Sequence, residues 1–572
     1  MSGEGLQEQP ATRGSSAVAG GIFLSRLAGL VREALLRSVL GLGPAADAFA
    51  AALRIPNVLQ NLLGEGSLSA SFIPVYSRLL GEGHEREAGR VAGAVAGLLT
   101  ALAGALTLLG ILFARPLTLL LAPGFSDETL DLTVDLVRIT TAGVGFLVLS
   151  AWCLGVLNSH RRFFLSYVAP VLWNAAQIAV LAAAILGSWD PVDAARALAW
   201  GLVAGGVLQF GVQAVAVARL VPGIRVSLAA RLPSVTEVRR RFGPAVLGRG
   251  VVQLSGYLDL ILASLLVTGA VAGLLSAQML YALPISLFAM SVAASELPEM
   301  SRAGDPTLLV SRCHSALRRT SFFVAFAAVA YVVAGETIVG ALFRWGAFDA
   351  DDTRAVWLVL AAYSLGLPAV GASRIFQNTL YSIGDTKGPA RIAATRVVVA
   401  GVIGVVFMFP MDHVSVVAGS LSGLENVFAA GGPHVEIPGA VGAPHLGAVG
   451  LALGSAVAAW LELVLLTRRG RRTVEGFPSA LGTLRPLLPA LAAATPVALI
   501  LVATTTGLPP QVSAPLVLAA AGLTYTVVAH LTGVTEARLL FSRLVRTSRG
   551  CPGRASLDPS GLREGPRGRR RG

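Results

Sequence analysis

The chain has 572 residues, of which 54% are hydrophobic and only 13% charged, with a mean hydropathy of +0.70. Soluble globular proteins carry about 25% charged residues, so an ordinary soluble fold is excluded, as is a disordered or fibrous chain. The formal net charge is +13, and its distribution along the chain must separate a nucleic-acid partner from membrane topology.

Residues 1–16 are polar, and the first apolar stretch, 17–40, contains Arg26, Arg32, Glu33 and Arg37. No cleavable signal peptide has that pattern, so the stretch is expected to stay as a first span. A span takes about 20 mostly apolar residues. After a second, weaker segment at 46–63, charge-free windows follow at 91–114, 139–160, 163–189 and 197–218. The window 260–295 is divided near Gly269 and Gly273, where the chain is expected to reverse. Weaker segments follow at 320–343, 353–380, 390–410 and 446–467. The stretch 486–535 is long enough for two helices, with Gly507-Leu508-Pro509-Pro510 supplying the turn between them. The reading is an all-α polytopic membrane protein of about fourteen spans.

Sidedness supports that count, because an error of one span would flip every later loop. With the amino terminus inside, most of the 45 basic residues fall in cytoplasmic segments, and outer loops hold only Arg115, Arg196, Arg344 and Arg354. Both termini are therefore expected on the cytoplasmic side. The excess charge reads as orientation plus attraction to anionic lipid, and the basic tail at 548–572 is expected to be disordered and to meet membrane lipids rather than nucleic acid. The outer loop 410–445 has no Lys or Arg and looks like an insertion. Cys153, Cys313 and Cys551 are far apart, and the histidines never fall at ligand spacing, so neither a disulfide framework nor a metal site is encoded.

An internal echo organises the spans. Pro74-Val75-Tyr76-Ser77-Arg78 recurs as Pro298-Glu299-Met300-Ser301-Arg302, and Arg54-Ile55-Pro56 is echoed by Ala282-Leu283-Pro284. Such repeats suit transporters in which two bundles rock about a central site, although Leu/Ala-rich sequence also produces such matches by chance. The expected organisation is a cytoplasmic tail at 1–16, one lobe at 17–220, a cytoplasmic linker at 221–242, a second lobe at 243–468, and a helix pair at 483–535.

Charges inside spans are costly, roughly 2.5–3.5 kcal/mol for an arginine near the bilayer centre, and usually mark a pathway. On a 100° helical wheel Glu33 can pair with Arg37 one turn on, leaving Arg26 and Arg32 as cations facing protein or water; Arg37 is expected to snorkel to the outer interface. The second span supplies Asp47, then Arg54, Pro56 and Asn57, a kink beside a charge. Glu65 reads either as a gate carboxylate or as an interface charge. Guanidinium groups bind phosphates bidentately and stay charged when buried, so the set predicts an anionic, phosphorylated cargo. In the second half, Asp259 is a candidate cation or proton site, or else a partner of Arg249 or Arg374.

At these residues the sequence resembles the MviN/MurJ family of lipid II flippases. The resemblance rests on Ser25 through Glu33, Asp47-Ala48-Phe49, Ile55-Pro56-Asn57, Gly64-Glu65-Gly66, Phe72-Ile73-Pro74, Gly346-Ala347-Phe348 and Tyr381 through Thr386. It implies fourteen helices in two six-helix lobes, a V-shaped cationic cavity, and a groove formed with the last two helices for an undecaprenyl tail. Arg26, Arg32 and Asp47 match positions the family needs for transport, and Arg54 stands where it often has a basic residue. This chain departs from the pattern in having Gln60 in place of an arginine, Met279 and Ala282 before the eighth-span Leu-Pro, and no Asn between Arg391 and Phe409, where a sodium site would need one.

The function expected is translocation of a polyprenyl-pyrophosphate-linked saccharide-peptide from inner to outer leaflet, with Arg26, Arg32 and Arg54 clamping the pyrophosphate and Asp47, Asn57 and Gln60 lining the site. No cofactor is implied; a coupling ion (sodium or proton) or the membrane potential would drive the step, and the chain is expected to act as a monomer. An exporter of another lipid-linked saccharide or of a small molecule is the alternative. An enzyme would have to rest on the acidic run Asp349-Ala350-Asp351-Asp352, which reads better as a helix cap.

Overall fold

The computed structural model describes residues 11–293, 296, 300, 305–426 and 442–548, and these are almost wholly helical. The first half runs through α1 (Ala11–Leu40), α2 (Pro44–Ala52), α3 (Arg54–Leu63), α4 (Glu65–Gly81), α5 (Glu85–Leu112), α6 (Ala114–Leu121), α7 (Asp127–Ser159), α8 (Phe163–Leu186) and α9 (Pro191–Leu220). The second half begins with α10 (Pro233–Ser264) and α11 (Ala270–Pro284), which continues as a π-helical turn over Ile285–Ala289. It goes on through α12 (Pro306–Phe343), α13 (Ala350–Ser364), α14 (Leu367–Ser382), α15 (Lys387–Asp412) and α16 (Gly447–Thr473). After α17 (Ala480–Leu484) come α18 (Leu488–Thr504), α19 (Pro510–Leu531) and α20 (Thr535–Ser548).

Among the described residues ten helices are long and apolar enough to cross a membrane, or eleven if α13 and α14, bent by 43° about Leu365-Gly366, form one broken span. The expected segments 17–40, 46–63 and the helix ahead of Gly269 are helical but fall short of that test. The first and third carry charges along their length, and the second breaks at Leu53. Fourteen spans therefore remain an expectation that turns on those segments.

Several local readings need correction. The segment 353–380 is a bent pair, not one helix. Much of the loop after 63 is helix α4, and α10 starts inside the expected linker, so that Val235 and Val238 pack in the first lobe's core. The reversal near residue 269 lies at Leu265–Gly269, with Gly273 already inside α11. Gly269 has φ +94°, a left-handed conformation that glycine adopts without strain. Both prolines of the echoed pair sit beside helix interruptions: Pro56 just after the break at Leu53, Pro284 at the entry to the π turn. Of the other echo, Pro298, Glu299, Ser301 and Arg302 lie outside the described residues, as does the tail beyond 548.

Three apolar clusters give the molecule its shape. One large cluster joins the halves: Leu36, Leu40, Phe49 and Leu198 from the first pack with Leu266, Val271, Phe343 and Phe348 from the second. Two others stay within one half. Phe72, Tyr76, Val91 and Trp152 form a core in the first, and Leu317, Ile375, Phe376 and Leu466 form one in the second. The shared cluster takes in the end of α1 near Leu40 and runs along α11, while each half keeps a core of its own.

Close backbone approach holds individual helix pairs. A Cβ on Gly450 or Gly454 of α16 would meet α15 backbone, Met408 N at 2.5 Å and Gly404 N at 2.6 Å respectively, so these helices touch main chain to main chain as small residues allow in membranes. The insertion after α15 forms a hairpin, β1 (Ser415–Val417) pairing antiparallel with β2 (Ser420–Ser422). It docks on the start of α13, where the Asp351 carboxylate accepts from Ala418 N at 2.9 Å and Gly419 N at 2.7 Å. Asp349 caps α13 by accepting from Asp352 N at 2.9 Å. Residues 427–441 of the loop lie outside the described set.

Candidate functional site

Two arginines of α1, Arg32 and Arg37, share one carboxylate. Glu33 Oε1 accepts from Arg37 Nε at 3.2 Å and Nη2 at 2.8 Å, while its other oxygen lies 3.5 Å from Arg32 Nη2. Arg37 is 3% exposed, so it is paired as expected but buried, not snorkelling; its Nη1 has no hydrogen-bond partner. The shared apolar cluster surrounds this part of α1 and leaves the side chain no route to an interface.

Arg32 is only partly committed to Glu33. Its guanidinium lies 5.2 Å from the Trp173 ring centroid and donates from Nη1 to Asn174 Oδ1 at 3.3 Å. Asn174 is itself buried, its amide donating to Pro170 O at 3.1 Å. The effect is a cation held mostly buried, stacked on an aromatic face and oriented by an amide. Arg26, two turns earlier, is exposed and reaches Ser286 Oγ of the π turn at 3.3 Å, a contact between the halves.

Arg32 stands beside a cavity of about 570 Å³ inside the first bundle. The polar side chains lining it are Gln60, Asn61, Ser69, Ser150, Asn174 and Gln209 among others, with Trp173 forming part of the wall. Behind them Gln209 Nε2 donates to Ser150 Oγ at 2.7 Å, and Ser150 Oγ donates to Gln213 Oε1 at 2.5 Å. None of the described residues lining the cavity is charged.

The remaining candidates are distributed differently. Asn57 is exposed and, unlike Gln60 one turn on, does not line the cavity. Arg54 opens α3, and its carbonyl accepts from Tyr257 of α10 at 3.4 Å, which puts it at the junction of the halves. Glu65 opens α4, but its side chain lies outside the described set, as does that of Arg249. Asp259 accepts from Gln278 Nε2 at 3.0 Å, and that amide also donates to Tyr363 at 2.9 Å. This small network is neither an ion pair with Arg374, which is exposed, nor a cluster of metal ligands.

Asp47 does not line the cavity. It is 3% exposed, and its two oxygens accept from Gly269 N at 2.6 Å and Ala272 N at 2.7 Å, capping α11 from the other half of the chain. The carboxylate thereby satisfies free donors at a helix start and meets the positive end of its dipole. Close by, Ala347 N donates to Ser38 O at 2.8 Å, and Gly346, at φ +56°, lies so near that a Cβ there would meet Ser38 O at 2.3 Å. These contacts fasten the halves at the end opposite the arginine-rich loops.

Sequence reasoning passed over Trp173, Asn174, Ser150, Gln209 and the triad Gln377, Arg396 and Glu462. In that triad a 1%-exposed glutamate accepts from Arg396 Nη1 at 2.9 Å and Gln377 Nε2 at 2.8 Å. Amides one turn apart in apolar helices, Gln209 with Gln213 and Asn174 with Gln177, are the signal that could have found the cavity wall.

Comparison with known proteins agrees with this geometry. The sequence model of the family described as lipid II flippase MurJ matches residues 36–430. A probable lipid II flippase MurJ of Rhizobium tropici is 33% identical over 402 residues, 69% of this chain and 75% of that protein. The lipid II flippase MurJ of Burkholderia cenocepacia is 32% identical over 406 residues, 69% and 78% of the two chains. Among solved structures, a lipid II flippase MurJ in an inward closed conformation aligns with TM-score 0.69 at 21% identity, covering 92% of this chain and 99% of that one. An inward-facing multidrug resistance MATE family transporter of the MOP superfamily aligns with TM-score 0.57 at 17% identity, covering 80% and 97%. The last two likenesses show the fold, and the sequence matches show the family: this chain belongs to the lipid II flippase MurJ family.

Proposed function

We propose that the protein carries lipid II, a polyprenyl-diphosphate bearing a saccharide and a peptide, from the inner to the outer leaflet of the bacterial cytoplasmic membrane by alternating access. The observation that carries this reading is Arg32: a guanidinium held between Glu33, Asn174 and the Trp173 ring, at the wall of a polar cavity in the first helical bundle. A half-neutralised cation can exchange its amide contact for a phosphate oxygen, whereas Arg37, buried in the shared core beside Glu33, cannot.

The arginine-rich face is taken as cytoplasmic, which puts both termini inside and turns that face toward the leaflet where the precursor is made. The contacts of Asp47 and Ser38 then form the outer gate, and Arg26 trades its contact with Ser286 of the other half for a phosphate oxygen. Moving the anion outward gains about 2.3 kcal/mol per charge per 100 mV of potential that is negative inside, so the step needs no nucleotide. The protein moves its cargo and leaves it chemically unchanged.

Rescue of a bacterium depleted of its own lipid II flippase tests the proposal. Wild-type chain should restore growth, and Arg32→Ala should fail while inserting at normal levels. Growth supported by Arg32→Ala would contradict it.

A further inference from the structure

The cavity beside Arg32 has a chemistry of its own. A site for diphosphate, or for the carboxylates of a peptide, would be lined by cations, yet none of the described residues around these 570 Å³ carries a charge. The walls offer amides and hydroxyls from α3, α4, α7, α8 and α9, together with an indole. Its volume lies within the range of about 300–1,000 Å³ usual for small-ligand sites.

These polar groups are unspent. Elsewhere in the bundle, helical Ser and Thr hydroxyls turn back on a carbonyl of their own helix, as Ser71 does on Ser67 O at 2.6 Å and Thr100 on Ala96 O at 2.8 Å. Among the described residues the side chains of Gln60, Asn61 and Ser69 make no such bond, although all three line the cavity. Gln209 spends only its amide nitrogen, on Ser150, which leaves its carbonyl oxygen as an acceptor. Paired donor and acceptor groups on amides suit the vicinal hydroxyls and acylamino groups of a sugar, which present the complementary pattern.

Trp173 decides where such a ligand would sit. Its ring carries the Arg32 guanidinium and also forms cavity wall, so the cation and the neutral pocket share one side chain. In a polyprenyl-diphosphate glycan the first sugar is bonded directly to the diphosphate, so a sugar subsite must adjoin the phosphate's cation, as this pocket does.

We infer that this cavity is the saccharide subsite: Gln60, Asn61, Ser69 and Gln209 hydrogen-bond the sugar attached to a diphosphate held at Arg32. The inference rests on the substrate class proposed above and assigns the selection of glycosylated over bare polyprenyl diphosphate to the first lobe. A site that hydrogen-bonds a ligand's hydroxyls binds the analogue lacking them less tightly, because its own polar groups then lose those partners.

The test uses the full chain in lipid nanodiscs with two probes, lipid II and undecaprenyl diphosphate, which lacks the sugar. Wild type should bind lipid II more tightly. Gln60→Leu with Asn61→Ala should weaken lipid II by about tenfold, two hydrogen bonds of ordinary strength, and leave undecaprenyl diphosphate unchanged. The single variant Ser69→Ala, which alters little volume, should move the same ratio in the same direction and guards against misfolding of the double variant. Equal binding of both probes by wild type, or parallel weakening of both by the variants, would overturn the subsite while leaving the flippase reading intact. Binding of neither probe would overturn both.

Discussion

Asp47 holds the backbone amide of Gly269 at 2.6 Å across 222 positions of sequence, and this contact ties the first half of the chain to the start of α11 in the second. Asp47→Ala leaves the donors of Gly269 and Ala272 without an acceptor in a buried place, at a cost of about 1–3 kcal/mol. The variant should unfold at lower temperature in detergent and expose a cysteine placed at Leu42 to a polar thiol reagent. Unchanged reactivity at that position would show that the gate does not depend on the carboxylate.

The pair formed by Glu33 and Arg37 lies inside the shared core, so removing one member strands the other. Glu33→Gln should destabilise the protein by about 3–5 kcal/mol, seen as a loss of folded protein in membranes, because Arg37 is left charged and buried. Replacing both, Glu33→Leu with Arg37→Met, should recover most of that stability. A double variant no better than the single one would mean that the pair has a task beyond mutual neutralisation.

Outside the spans, Arg78 on α4 lies 2.7 Å from Glu237 on α10, and Arg241 reaches the other oxygen of the same carboxylate at 2.7 Å. The hydrogen bond and charge of Arg78 hold Glu237 below the usual carboxylate range. A depressed folded-state value means that the contribution is present above the unfolded value, about 4.3, and is lost as pH falls through the folded one. Thermal midpoints of wild type and Glu237→Gln should differ at pH 7 and converge once pH falls below the depressed folded-state value. A gap that persists in acid would assign the effect to packing.

Gly454 sets the approach of α16 to α15, since a Cβ there would meet Ala400 O at 2.7 Å. Gly454→Val should push the helices apart and cost about 1–3 kcal/mol, the usual price of overpacking. A thermal midpoint equal to wild type would show that the pair can slide.

The sequence made the α1 charges, the Gly269 reversal and the cap at Asp349 legible, because each depends on neighbours within a turn or two of helix. The partner of Asp47 was not, since a carboxylate on an apolar segment looks alike whether it faces a ligand or caps a helix from the far half of the chain. Arg37 was misplaced for a related reason: helical spacing gives its partner, but only packing shows that the core closes over it. The cavity wall was overlooked because searching apolar helices for charge passes over Asn174 and Gln209, whose recognition chemistry is neutral.

The cluster common to both halves is lined with small residues: Ala45, Ala46, Ala48, Ala51 and Ala52 on one side, and Ala270, Ala272 and Ala277 on the other. Methyl-sized surfaces can roll or slip past each other with few interlocked side chains to withdraw. Where alanines of α2 face alanines of α11, position along the seam is therefore fixed by polar contacts such as the Asp47 cap more than by interlocked side chains.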